Sequence, residues 1–304
     1  MREPNAITAA AKASGEPVFR EVGVGPWSET HPGVPRPDDH SSPDFDSRYD
    51  SKLLDEGDRR NVLDRFRYWS VEAIKSELDR QGRHGFEVAV ENWTHDFNIG
   101  SMVRTANAFG AKSVHIVGPH KWNRKGSLMT ELYQHVDHYP SIESLVDAWH
   151  CEIAGEIARA EEARDRIYDT ICGNGMATKK YGASYMDAVE GTASCRGTDG
   201  DDASDDEKQG RLEQDERRYR EIEREARESK IIALDIIPGA VPIETYRFPA
   251  RCLLLFGAEG PGLSRKAVEL ADDVVYISQF GSVRSINAGA AAAVAMHCCL
   301  SQHL

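Results

Sequence analysis

The residues best suited to chemistry sit in two short loops near the C-terminal end of the sequence and in one basic loop upstream. In FGAEGPGLS, Gly257, Gly260 and Gly262 admit backbone conformations closed to other residues and allow main chain to approach a ligand closely. Pro261 stiffens that turn, and Ser264 is suited to cap a following helix. The same composition also suits an ordinary strand-to-helix turn, and it matches neither a GxGxxG fingerprint nor a Walker loop. The second loop, SQFGSVRSIN, leads into AGAAAAVAM, where Gly289 and the alanines let a helix backbone lie against a neighbour. In GPHKWNRKG, His120, Lys121, Arg124 and Lys125 surround Trp122. Such cations can hold phosphate while the indole stacks on a base; the same residues equally suit a solvated polar loop.

The elements around these loops read as alternating strands and helices. Cys252 to Phe256, Val274 to Ile277, Ile231 to Ile236, Phe86 to Val90 and Ser113 to Val117 are short, continuous apolar runs, the pattern of parallel strands covered on both faces. Ser264 to Leu270 and Ser141 to Trp149 read as helices. After Asn98, Ile99, Met102, Val103 and Ala106 recur at helical spacing, with Arg104 on the opposite face and Gly110 as terminator. Asn98 suits an N-cap, and Arg104 suits a solvated surface charge. Ligands of open α/β sheets bind at strand ends, so two consecutive strand-loop-helix units suggest one pocket lined by main chain.

The remaining chain is organised around that core. Met1 to about Asp50 is rich in Pro, Gly, Ser and Asp without periodicity and reads as a mobile arm. Residues 51–85 read as a helical extension: Val62, Phe66 and Trp69 share a stripe from Arg59 onward, and Ser70 caps VEAIKSEL. This extension suits docking on the main domain, or RNA binding through its arginines. The main domain spans 86–304, interrupted at about 150–229 by an insertion too long for an ordinary connection. The insertion is helical at both ends, acidic in its middle (GTDGDDASDDEKQG), and carries pairs such as Glu223 with Arg227. Removing about Glu161 to Arg227 is expected to leave a folded protein.

A net charge of −13 over 304 residues is the wrong sign for a free-standing phosphate binder, but much of it is concentrated in the insertion. No run is long and apolar enough to span a membrane and no leader is apparent, so the expected location is the cytoplasm. The six cysteines show no metal-ligand spacing, and no metal is expected.

Together, NIGSMVRTANAFGA, FGAEGPGLS and SVRSINAGAAAA resemble, in that order, the three motifs of the TrmH (SpoU) family of RNA ribose 2′-O-methyltransferases, within the SPOUT superfamily. The resemblance covers about Phe86 to Trp149 and Lys230 to Leu300. It implies a parallel sheet with helices on both faces, a C-terminal deep trefoil knot, and S-adenosylmethionine bound by the knotted loops. It also implies a homodimer whose active site is completed across the interface, with the helix of Ala288 to Ala293 as part of that interface, and tRNA or rRNA as substrate. Position within the motifs implies Gly257, Ile277 and Ile286 as cofactor contacts. Arg104, Asn98, Glu259, Ser285 and Asn287 are implied as the catalytic set, and Lys121, Trp122, Arg124 and Lys125 remain the RNA-binding candidates. The family motif often has proline before the asparagine and Ile-Pro-Met after the second motif; here Asp96 and Phe97 precede Asn98, and Ile277-Ser278-Gln279 stands in the second place. A knotted RNA-binding protein without catalysis, recruiting a partner through its acidic insertion, is the alternative.

Overall fold

The computed structural model describes residues 5–15, 17–19, 22–94, 98–171 and 205–304. The chain divides into two compact units, Met1–Ala73 and Ile74–Leu304. The division falls after Ala73, between the boundaries expected at about 50 and 85.

The first unit contains α1 (Ala6–Ala13), α2 (Trp27–Thr30) and α3 (Ser51–Glu56). Its centre is polar as well as aromatic. Asp58 is fully buried, pairs with Arg60 at 2.7 Å and accepts from Tyr68 N at 3.0 Å, while Arg60 also donates to Trp69 O. Trp27 stacks on His31, with ring centroids 3.7 Å apart, and meets Tyr49 and Tyr68 edge-on. Aromatic residues far apart in sequence thus hold residues 22–50, where composition alone suggested an arm. The helical stripe from Arg59 is also not a helix. Tyr68 adopts φ 63, which a helix cannot continue through, and only Asp64–Phe66 forms a 3-10 turn. The helix begins after the cap: Ser70 Oγ accepts from Ala73 N, opening α4 (Val71–Gln81).

The second unit is a seven-stranded sheet, all of whose pairings are parallel. In chain order it comprises β1 (Phe86–Glu91), α5 (Ile99–Ala108), β2 (Val114–Val117), β3 (Val136–Tyr139), α6 (Ile142–Ile171), α7 (Asp205–Arg227), β4 (Lys230–Leu234), β5 (Val241–Pro242), β6 (Cys252–Phe256), α8 (Arg265–Leu270), β7 (Asp273–Tyr276) and α9 (Ala288–Ser301). The sheet order is β3-β2-β1-β6-β4-β7-β5, so β6 lies between β1 and β4, and β7 on the far side of β4. Side chains alternate between two apolar layers. Val88, Val90, Cys252, Leu254 and Phe256 meet α5 and α9 on one face, through Met102, Val103, Ala292 and Met296. Ala89, Leu253 and Leu255 meet α6 on the other, through Leu145, Val146 and Trp149. Both faces are covered, as the continuous apolar strands predict.

Where an insertion is expected, the helix from Ile142 runs on to Ile171 and α7 returns against it. Arg164 pairs with Glu223 and Arg227 with Glu161 across the two helices. The root of this hairpin belongs to the core: Ile153 and Ala226 are buried with the sheet residues. Residues 172–204, which include Cys172, Cys195 and the first part of the expected acidic stretch, lie outside the described residues, and the rest of that stretch opens α7. No described helix is long and apolar enough to cross a membrane.

Below the sheet, α6 is fastened by buried charge. Arg251 bonds Glu87 at 2.7 Å, Glu156 at 3.0 Å and Glu152 at 3.1 Å, and Glu87 also accepts from Trp149 Nε1 at 3.2 Å. Burial would raise the Glu87 carboxyl, but its hydrogen bond to His115 and the charge of Arg251 outweigh that and hold it at about 2.

Candidate functional site

The site forms where the loops after β1, β4, β6 and β7 meet at the carboxyl ends of neighbouring strands. The loop after β6 is shaped by its glycines in two different ways. Gly260 and Gly262 take φ 96 and 76, which L side chains rarely adopt. At Gly257 the requirement is space: a Cβ there would lie 2.0 Å from the Gly262 carbonyl carbon, because the loop folds back over it. Gly262 N donates to Ala258 O at 3.0 Å and closes the turn. Ser264 caps α8 by accepting from Ala267 N, as its position predicts. The buried Glu91, at the end of β1, accepts from Ser264 N at 2.6 Å and ties the loop to the sheet.

Three polar side chains from three loops converge here. Asn98 Nδ2 donates to Glu259 Oε2, and Asn287 Nδ2 donates to Asn98 Oδ1 at 2.9 Å, with Glu259 Oε1 at 3.5 Å. Asn98 does not cap α5 with its side chain. Its backbone conformation is already helical, and its side chain points at the other two. Asn287 has both roles, since its Oδ1 accepts from Ala290 N at 3.1 Å and caps α9. Glycine at 289 leaves room between the two helices for a hydroxyl: a Cβ there would meet Ser101 Oγ at 2.7 Å.

Beside this cluster opens a cavity of about 620 Å³, lined by Gly257, Glu259, Ile277, Ser285, Ile286 and Asn287 among others. These include every residue the motifs marked as a cofactor contact. Asp235, Tyr276, Gln279 and Arg284 line it too, and sequence reading missed them. Ser278, where the family motif often has proline, donates from N and Oγ to Glu244 at 3.1 and 3.0 Å, so a hydrogen-bonded clamp holds that loop.

Arg104 is not part of this lining. It is exposed on α5 and forms no ion pair among the described residues. The basic loop is split in its behaviour. Lys121, Arg124 and Lys125 are exposed, whereas Trp122 is 8 % exposed and packs in the core beneath α5 and the sheet. Its indole is therefore a wall of the fold and not a platform for a base; the expectation of stacking is corrected. The loop itself rides on the first turn of α5. A Cβ at Gly100 would sit 2.8 Å from Asn123 O and 2.9 Å from Ser127 N. Among the described residues, no group of three or more His, Cys, Asp or Glu is arranged to hold a metal.

A model of the SpoU rRNA Methylase family matches residues 210–297, the stretch that carries the second and third motifs. The resemblance read from the motifs and this match thus meet on the same part of the chain. Among solved structures, the chain is similar to the SpoU methyltransferase AviRb from Streptomyces viridochromogenes in complex with AdoMet. Identity is 22%, the match covers 74% of this chain and 61% of that one, and the TM-score is 0.43. It is also similar to the A. aeolicus TrmH/SpoU tRNA modifying enzyme, at 13% identity, 77% and 82% coverage and a TM-score of 0.43. A third likeness is to an AdoMet-bound rRNA methyltransferase from Sinorhizobium meliloti, at 15% identity, 74% and 60% coverage and a TM-score of 0.41. The chain thus spans about 61% of AviRb's length. No curated protein sequence matches it. None of these likenesses is close enough to carry a residue role across.

Proposed function

We propose that this chain is an S-adenosylmethionine-dependent methyltransferase that modifies a ribose 2′-hydroxyl in tRNA or rRNA. The observation that carries the reading is the convergence of Asn98, Glu259 and Asn287, one from each motif, at the edge of a glycine-lined cavity. A cavity of about 620 Å³ falls in the range that encloses small cofactors. The close return of the loop over Gly257 suits a ligand held by main-chain groups, with Ile277 and Ile286 as apolar walls.

When bound, the cofactor supplies an electrophilic methyl on a sulfonium. What falls to the protein is to hold the ribose hydroxyl in line and to stabilise the charge it develops. Asn98, Glu259 and Asn287 fix three loops to one another, and Ser285 adds a hydroxyl to the same wall. A guanidinium offers donors and no acceptor, so the role of Arg104 is to bind phosphate and steady the alkoxide. Its exposure away from the lining of its own cavity favours action on the site of a second copy, in a homodimer joined near the C-terminal loops. Phe280 and Val283, 98% and 60% exposed on the loop beside the cavity, are surfaces such a partner would cover. Lys121, Arg124 and Lys125 give the RNA backbone a cationic edge within a chain of net charge −13.

The test is transfer of labelled methyl from S-adenosylmethionine to unmodified tRNA and rRNA, followed by alkaline hydrolysis. A 2′-O-methyl group removes the nucleophile that cleaves the adjacent phosphodiester. Label should therefore be recovered in alkali-resistant dinucleotides; label released in mononucleotides would mean base methylation. Binding of S-adenosylhomocysteine without any transfer would favour the non-catalytic alternative.

A further inference from the structure

A carboxylate in the cavity remains without a task in this reading. Asp235 is the first residue beyond β4, half-buried, and lines the same cavity as Gly257 and Ile286. Its main chain is fixed by Asp235 N donating to Val275 O at 3.1 Å, an extension of the β4–β7 ladder. One carboxylate oxygen, Oδ1, accepts from Ile236 N at 2.7 Å. The other, Oδ2, lies against the loop after β6, 3.3 Å from where a Cβ on Gly262 would be. Among the described residues it has no ion-pair partner. A half-buried anion is thus held by two strands and aimed where main chain leaves room for a ligand.

We propose that Asp235 is a specificity-determining residue, reading the ribose diol of the nucleoside held in this cavity. The inference rests on the function proposed above and goes beyond it by naming a recognition group. A diol presents only hydroxyl donors to the carboxylate's spare lone pairs, and hydrogen bonds to a charged acceptor are stronger than neutral ones. The amino-acid end of the same ligand suits Asp235 poorly, because it carries a carboxylate beside its ammonium, and an acidic wall attracts one and repels the other. That end has a better counterpart in Arg284, an exposed cation on the opposite loop lining the cavity. Phe256 and Ile277 add apolar walls to the same cavity.

The experiment is calorimetric titration of the full chain and its Asp235→Ala and Asp235→Asn variants, each first shown to melt cooperatively. The ligands are S-adenosylhomocysteine, its 2′-deoxy and 3′-deoxy analogues, and 5′-deoxy-5′-methylthioadenosine, which lacks the amino-acid end. Asp235→Ala should weaken S-adenosylhomocysteine by about ten- to a hundredfold, the usual effect of losing a hydrogen bond to a charged group. Wild-type protein should lose a comparable factor when a ribose hydroxyl is removed, and Asp235→Ala should then show no further loss. Asp235→Asn keeps the shape and one acceptor, and should fall between; it carries the test if the alanine variant does not fold. Methylthioadenosine should suffer the same penalty as the full ligand. Unchanged affinity in both variants would overturn the proposal, and so would wild-type discrimination between ribose and deoxyribose in Asp235→Ala. A penalty that vanishes with methylthioadenosine would overturn it in favour of the ammonium. If wild-type protein binds none of the four ligands, the underlying nucleoside reading fails and this inference falls with it.

Discussion

Gly257→Ala should close the cavity without altering any polar side chain in it. A Cβ at this position would lie 2.0 Å from the Gly262 carbonyl carbon, 2.2 Å from Leu263 N and 2.3 Å from the Gly262 carbonyl oxygen. Non-bonded heavy atoms prefer roughly 3.5–4 Å, so the returning loop must retreat by about 1.5 Å. It is poorly placed to do so. Gly262 N is bonded to Ala258 O at 3.0 Å, and Ser264 N to the buried Glu91 at 2.6 Å. Forcing bulk into a packed site costs about 1–3 kcal/mol, and clashes with backbone belong at the top of that range. For a unit of this size, ~3 kcal/mol is a fall in Tm of roughly 6–12 °C. Two neighbouring glycines separate crowding from strain. Gly260→Ala meets nothing within 4 Å but sits at φ 96. It should therefore cost only the left-handed penalty of about 1–2 kcal/mol. Gly281→Ala has open space and no such φ, and should stay within about 0.5 kcal/mol of wild type. Scanning calorimetry gives the stabilities, and titration with S-adenosylhomocysteine the binding. The expected order of both losses is Gly257, Gly260, Gly281, with binding to Gly257→Ala down by at least about tenfold, the factor that 1.4 kcal/mol represents. Wild-type affinity in Gly257→Ala would refute the idea that the returning loop walls the ligand site.

Arg104→Ala should leave melting and S-adenosylhomocysteine affinity unchanged, because the side chain is exposed and bonded to nothing described. Methyl transfer in single turnover should fall by about two orders of magnitude, and Arg104→Lys should recover little of it. The Glu87 carboxyl sits at about 2 against an ordinary 4.5, a depressed acid, so its stabilisation is complete above about pH 4.5 and is lost as pH falls through 2. Its scale is roughly 3 kcal/mol, and Glu87→Gln should flatten the acid limb of a stability-versus-pH curve. Replacing residues 161–222 by a short flexible linker should preserve one cooperative melt, since that cut keeps Ile153 and Ala226 in the core. The larger cut to Arg227 expected from sequence to be harmless removes Ala226 and should lower the Tm; equal melting of the two deletions would show that Ala226 contributes nothing.

What was legible in the sequence was what local chemistry decides. The strand Cys252–Phe256, the Ser264 cap and the start of α9 at Ala288 follow from apolar runs and capping residues a few positions apart. What was not legible depends on partners distant in sequence. Trp122 looks like a solvent-facing aromatic among cations, yet it completes the layer under α5. Residues 59–70 carry a helical stripe, but Asp58 recruits the backbone of Tyr68 and the guanidinium of Arg60 and bends the chain instead. Asp235 ends an ordinary apolar strand, and nothing near it in sequence says that Gly262 will be its neighbour.

The same sheet order explains why the polar cluster exists at all. Asn98 and Glu259 are 161 residues apart, but they follow β1 and β6, which are paired in register from Phe86 with Cys252 to Val90 with Phe256. Parallel neighbours end at the same edge of a sheet, so their following loops must meet there. Asn287 arrives by another route, at the start of α9, which packs on α5 where glycine at 289 leaves room for the Ser101 hydroxyl. Once those two packings are fixed, the amide of Asn287 has the Asn98 carbonyl oxygen at 2.9 Å and the Glu259 carboxylate at 3.5 Å. The cluster is therefore set by packing before any ligand binds. Gly289→Ala, which adds no polar group, should crowd Ser101 Oγ, which donates to Asn98 O at 2.7 Å, and so shift Asn98 against Asn287 and lower methyl transfer more than it lowers the Tm-derived stability of the fold. Transfer at the wild-type rate in that variant would mean that the three side chains need not touch for the site to work.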